Sequence, residues 1–152
     1  YGRDGGGSED VRVAPLYIGY QGLVRGYDIG SFDAEECSAV DLQTCETFEQ
    51  LNGSRVAIAS AEFRFPLLGL FSRRSFYGAF PIELAFFGDA GLAWTSRIKP
   101  SFAGGTRDWV RSAGVAVRAN ILGYAVAEFD YVRPFDRTRK GWIWQFGLTP
   151  GF

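Results

Sequence analysis

The sequence predicts an all-β fold, an antiparallel sheet of the transmembrane β-barrel class. Three observations carry this. Beyond residue 53, five segments alternate apolar and polar residues over about 10–14 positions, the length of a tilted membrane-crossing strand. Every charge in the middle of these segments falls on the polar face. The large aromatics of the apolar face gather near strand ends, where a ring half in water is stable at a membrane interface.

Taken in order, residues 1–53 read as a long loop, extracellular or folded inward, rich in Gly, Asp, Glu and Ser with short apolar patches such as Leu16-Tyr17-Ile18. Strands are predicted at 54–66, 81–94, 110–121, 124–134 and 141–152, so residues 54–152 form the strand part. No segment shows a helical period. Side chains alternate across a strand. The first strand therefore turns Ala57, Ala59, Ala61, Phe63 and Phe65 to one side, and Ser60, Glu62 and Arg64 to the other. In the second, Ile82, Leu84, Phe86, Ala90 and Leu92 oppose Glu83, Ala85, Asp89 and Gly91. In the third, Ala113, Val115, Val117 and Ile121 oppose Ser112, Gly114, Arg118 and Asn120. In the fourth, Ala125, Ala127, Phe129 and Tyr131 oppose Tyr124, Glu128 and Asp130. In the last, Trp142, Trp144, Phe146, Leu148 and Phe152 oppose Gln145, Gly147 and Thr149. Leu122-Gly123 reads as a tight turn, 95–109 and 135–140 as polar outward loops, and 67–80 as a longer, more apolar connection.

A soluble antiparallel sheet would also alternate. The aromatics separate the two. Trp94, Trp109, Tyr131, Trp142 and Trp144 share the apolar parity and one end of the strands, while Phe63, Phe65 and Phe152 lie toward the other. Two aromatic girdles have that arrangement. The final strand carries apolar residues at every second position from Trp142 to Phe152, interrupted at Pro150, a pattern similar to the terminal strand by which outer-membrane barrels are recognised for assembly.

Composition removes several function classes. Sixteen basic and 17 acidic residues give a formal net charge of −1, which argues against nucleic acid as a partner. Histidine is absent, so Ser-His-Asp and Cys-His catalysis and His-containing zinc sites cannot be built. No cofactor or metal is expected. Cys37 and Cys45 lie in a polar stretch; a loop disulfide in an oxidising compartment is the leading reading, and two free thiols the other.

Val24-Arg25-Gly26-Tyr27 precedes the first strand, which ends Ala61-Glu62-Phe63-Arg64-Phe65-Pro66; the next strand contains Phe86-Phe87-Gly88-Asp89-Ala90-Gly91-Leu92-Ala93-Trp94. This order resembles the bacterial surface-antigen, outer-membrane assembly-factor superfamily of BamA/TamA/FhaC-like barrels, over about Val11 to Phe152. The resemblance implies that the segment is the C-terminal five strands of a 16-stranded barrel, preceded by an in-folded loop with a Val-Arg-Gly-Tyr tip. It also implies that Arg25, with Gly26 and Tyr27, clamps the loop onto the lumenal acids Glu62 and Asp89. An insertion from about Asp33 to Asn52, with both cysteines, departs from many members. Five strands cannot close a barrel, since single chains begin at eight, so a longer polypeptide with an upstream part of the same barrel is expected.

The implied function is insertion or translocation of proteins at the bacterial outer membrane. The implied partners are outer-membrane lipid and client outer-membrane or secreted proteins. Trp142, Trp144, Phe146, Leu148 and Phe152 would then serve a lateral seam and C-terminal signal. Two other readings are weighed against this. One is a soluble β-barrel or sandwich that binds an apolar ligand. The other is an enzyme using pairs among Glu62, Glu83, Asp89, Glu128 and Asp130. Lumenal carboxylates paired with Arg25, Arg64 or Arg118 account for the same residues more simply, so no enzymatic activity is expected.

Overall fold

The computed structural model describes residues 15–33, 36, 46–67, 82–137 and 139–150. In the upstream part, β1 (Leu16–Tyr17) pairs antiparallel with β2 (Asn52–Gly53), and a five-residue helix, α1 (Glu46–Gln50), leads into β2. A single helical turn is too short to display a 3.6-residue period, so the sequence pattern did not disclose it. The five long strands follow: β3 (Arg55–Pro66), β4 (Ile82–Trp94), β5 (Val110–Ile121), β6 (Ala125–Pro134) and β7 (Ile143–Pro150). They form one antiparallel sheet in chain order.

Each strand starts within two residues of its predicted position. Tyr124 is not in β6: its N–H closes the turn onto the Ile121 carbonyl at 2.9 Å, and Leu122 and Gly123 both take positive φ, 53° and 80°, as the mirror-image hairpin turn requires. Gly141 and Trp142 precede the β7 ladder, which begins at the Val132–Ile143 pair. Cys37, Cys45, Phe152 and most of the connection from 67 to 80 lie outside the described residues.

The two faces of the sheet differ. Phe63, Phe86, Phe129, Trp144, Phe146 and Leu148 stand exposed on one face. On the opposite face, Ala85, Phe87, Asp89, Ala116, Asp130 and Val132 are buried. Leu92 shares the first parity and is nonetheless buried. The covered face owes its burial to residues 15–33 and α1, which pack over its upper part. Ile18, Val24, Tyr27 and Leu51 form a core with Ala93 of β4 and Val110 of β5. Burial of these apolar side chains, at about 1.5–3 kcal/mol each for the larger ones, is what fixes the loop to the sheet.

The register is staggered. One row of directly paired residues runs Phe63–Phe86–Val115–Tyr131–Trp144. It starts near the Pro66 end of β3 and finishes beside the Ile143 end of β7. This is the stepwise offset that strands must have when tilted to a barrel axis. Along that row, Phe63 lies three residues from the Pro66 end of β3 and Trp144 one residue from the Ile143 end of β7.

Candidate functional site

Gly26 has φ of +91°, a conformation glycine adopts without steric penalty. A Cβ at this position would lie 3.2 Å from Val132 Cγ2. The kink at the loop tip turns Arg25 down onto the covered face, where its guanidinium is almost wholly enclosed. Nε donates to Asp89 Oδ2 at 2.8 Å and Nη2 to Asp89 Oδ1 at 3.1 Å, a two-pronged contact. The Arg25 backbone N–H adds a third donor at 3.3 Å, and Ser60 Oγ a fourth at 2.6 Å. Nη1 reaches Glu62 Oε2 at 3.0 Å and Glu128 Oε1 at 3.4 Å. The guanidinium carbon stands 3.4 Å from the Phe87 ring centroid, so a cation–π contact covers its flat side.

A second arginine joins the cluster. Arg118 Nη2 donates to Glu62 at 3.1 Å and to Glu128 at 2.7 Å, and Arg118 Nη1 and Arg64 Nε also bond Glu62. Three carboxylates thus face Arg25, Arg118 and Arg64. A buried carboxylate deprived of its cation costs several kcal/mol, so the network is stable only as a whole.

Above the clamp, Tyr27 donates its hydroxyl to the Arg111 carbonyl at 2.8 Å, and Tyr17 donates to the Tyr27 carbonyl. Burial pushes both phenols above the ordinary tyrosine range. Arg137, in the β6–β7 connection, donates to the Gly26 carbonyl at 2.8 Å and to the Ser31 carbonyl at 2.7 Å. It also forks onto Glu36 at 2.8 and 2.6 Å and lies over the Phe32 ring. Burial alone would raise the Glu36 carboxyl; the Arg137 contact outweighs it and holds the group below the ordinary glutamate value.

The structure therefore brings Arg25, Gly26 and Tyr27 together with Glu62 and Asp89. Trp142, Trp144, Phe146 and Leu148 stand apart on the other face, where Tyr131 stacks on Trp142 with ring centroids 4.8 Å apart. Cys37, Cys45 and Phe152 lie outside the described residues. Sequence reading missed Phe87, Gln21, Gln145 and Arg137. Phe87 and Gln145 share the parity of Asp89, so strand alternation marked them. Gln21 and Arg137 sit on connections, where no period singles out a side chain.

No solved structure matches this chain. The Omp85 superfamily domain matches residues 3–151, and that superfamily comprises bacterial outer-membrane proteins of protein insertion and translocation. With a match over nearly its whole length, the chain belongs to the Omp85 superfamily.

Proposed function

We propose that this chain supplies the C-terminal strands of a 16-stranded outer-membrane β-barrel of the insertase or translocase type, seated in the bacterial outer membrane and completed by an upstream part of the same barrel. The observation that carries the proposal is the opposite character of the two faces. One face encloses an arginine among three carboxylates. The other leaves Trp144, Phe146 and Leu148 with 74, 58 and 60 % of their surface exposed. A patch of that kind requires a cover, and lipid is a cover of the right chemistry. A soluble apolar-ligand module instead needs its greasy face packed inside, and among the described residues nothing lies over these three side chains.

In this reading the inward loop braces the lumen, and β7 forms one side of a lateral seam where a client strand pairs with an exposed edge. The partners are outer-membrane lipid and client outer-membrane or secreted proteins, without nucleic acid. We assign the chain no catalysis, because Glu62, Asp89 and Glu128 are engaged by arginines.

The test is reconstitution of the full-length protein in phospholipid vesicles with an unfolded outer-membrane protein as client. Faster client folding than in empty vesicles is expected. Recovery of the full-length protein as a water-soluble monomer without detergent would overturn the proposal.

A further inference from the structure

We infer that the inward loop is a latch on β7, the last strand of the described sheet, so that loop docking and the position of β7 are one coupled equilibrium. This inference rests on the proposed seam for its use, but not for its geometry.

Three contacts build the latch. The Gly26 N–H donates to Gln145 Oε1 of β7 at 2.7 Å. The Gly26 carbonyl accepts from Arg137 Nη1, in the β6–β7 connection, at 2.8 Å. Both backbone groups of the loop tip are thus satisfied by the β6–β7 hairpin, and a buried backbone group left without a partner is costly. The third contact is Gln21. Its Nε2 donates to Asp130 Oδ2 of β6 at 2.7 Å, and its amide lies against Gly147 of β7, where a Cβ would come within 2.3 Å of Oε1. The absence of a side chain at Gly147 makes room for this amide.

Arg25 ties the same loop to Asp89 on β4, Glu62 on β3 and Glu128 on β6. The loop is therefore anchored on one side by the arginine clamp and on the other holds the hairpin that ends in β7. β7 pairs along its length with β6 alone among the described strands. Withdrawing the loop removes Gln145, Arg137 and Gly147 from their inner-face partners at the same time. Gln145, Gln21 and Arg137 act here as positioning residues.

A coupling of this kind is reciprocal. The experiment measures amide hydrogen exchange on the full-length protein in lipid nanodiscs, with substitutions made on either side of the latch. Gln145→Leu, on β7, should speed exchange in the loop around residues 17–31, and Gln21→Ala, on the loop, should speed exchange along 143–150. Each rise should be about tenfold, as expected for loss of one hydrogen bond, while β3 and β4 exchange at the parental rate. A change confined to the substituted element in either variant overturns the latch. Client folding is read in parallel on the same samples. Reciprocal exchange without any effect on client folding keeps the latch and counts against the insertase reading. Local exchange changes with lowered client folding do the reverse.

Discussion

At the scale of single residues, one arginine and one glycine seat the tip of the loop that the apolar cluster holds against the sheet. Removing the Arg25 side chain leaves Asp89, whose side chain keeps 1 % of its surface exposed, without its cation. Arg25→Ala is expected to cost about 3–5 kcal/mol, the range for breaking one side of a buried pair. Arg25→Lys should cost less: it keeps the charge and forfeits the two-pronged fork. The readout is the temperature at which the full-length barrel loses its heat-modifiable gel shift, in the order parent, Lys, Ala. Equal temperatures for all three would show that the clamp carries no stability. Gly26→Ala forces an L side chain to positive φ against Val132 and Pro134. A loss of about 1–2 kcal/mol follows from the backbone alone, measured by the same shift. The acids of this clamp were legible in the sequence because strand parity put Glu62 and Asp89 on one face. The arginine was legible only through the resemblance of its four-residue tip, since a loop residue carries no period. Arg137 had neither aid, which is why its grip on Gly26 and Glu36 emerges only in three dimensions.

At the scale of elements, the five strands follow from alternation, and their ends follow from local chemistry that alternation does not encode. Tyr124 continues the pattern of β6 yet belongs to the turn, because the positive φ of Leu122 and Gly123 sets where the ladder can resume. The loop shows the converse. Its described residues hold only short pieces of regular structure, and their order derives from the apolar cluster around Ile18 and Val24 and from buried hydroxyls. Those hydroxyls give it a pH signature. The docked state holds Tyr17 and Tyr27 as neutral phenols, with values raised by burial. Once the pH exceeds the ordinary tyrosine value of about 10, the docked state binds more protons than the released loop. Docking is therefore unaffected below that pH and weakens as the pH climbs past it. Protease cleavage within residues 15–33, followed with phenolate absorbance, should rise together above about pH 10. Tyr27→Phe should blunt the response, and cleavage that stays flat while the phenols ionise would refute the link.

At the scale of the molecule, the prediction concerns the exposed face. Phe146, near the middle of β7, packs on Phe129 with centroids 4.7 Å apart. Phe146→Arg should lower folding stability in bilayers by about 2–4 kcal/mol if the position is near the membrane midplane, whereas Trp142→Arg at the rim should cost about 0–1 kcal/mol. Denaturant titration in vesicles checks the ordering, and equal costs would mean that this face does not cross the hydrocarbon.

The stagger of the sheet also sets terms for any strand laid beside β7. Each later strand leaves the outermost residues of its predecessor unpaired: Leu92 to Trp94 of β4, Val110 and Arg111 of β5, and Arg133 and Pro134 of β6. A guest that keeps this step passes over Ile143 and Trp144 and begins pairing at Gln145. Its template is the short stretch Gln145–Pro150, toward the end of the sheet that carries the Leu122–Gly123 turn. In the proposed barrel, a segment that takes the place of the strand closing against β7 and enters from that end reaches the opposite rim only after it has zipped past the glutamine that holds the loop tip.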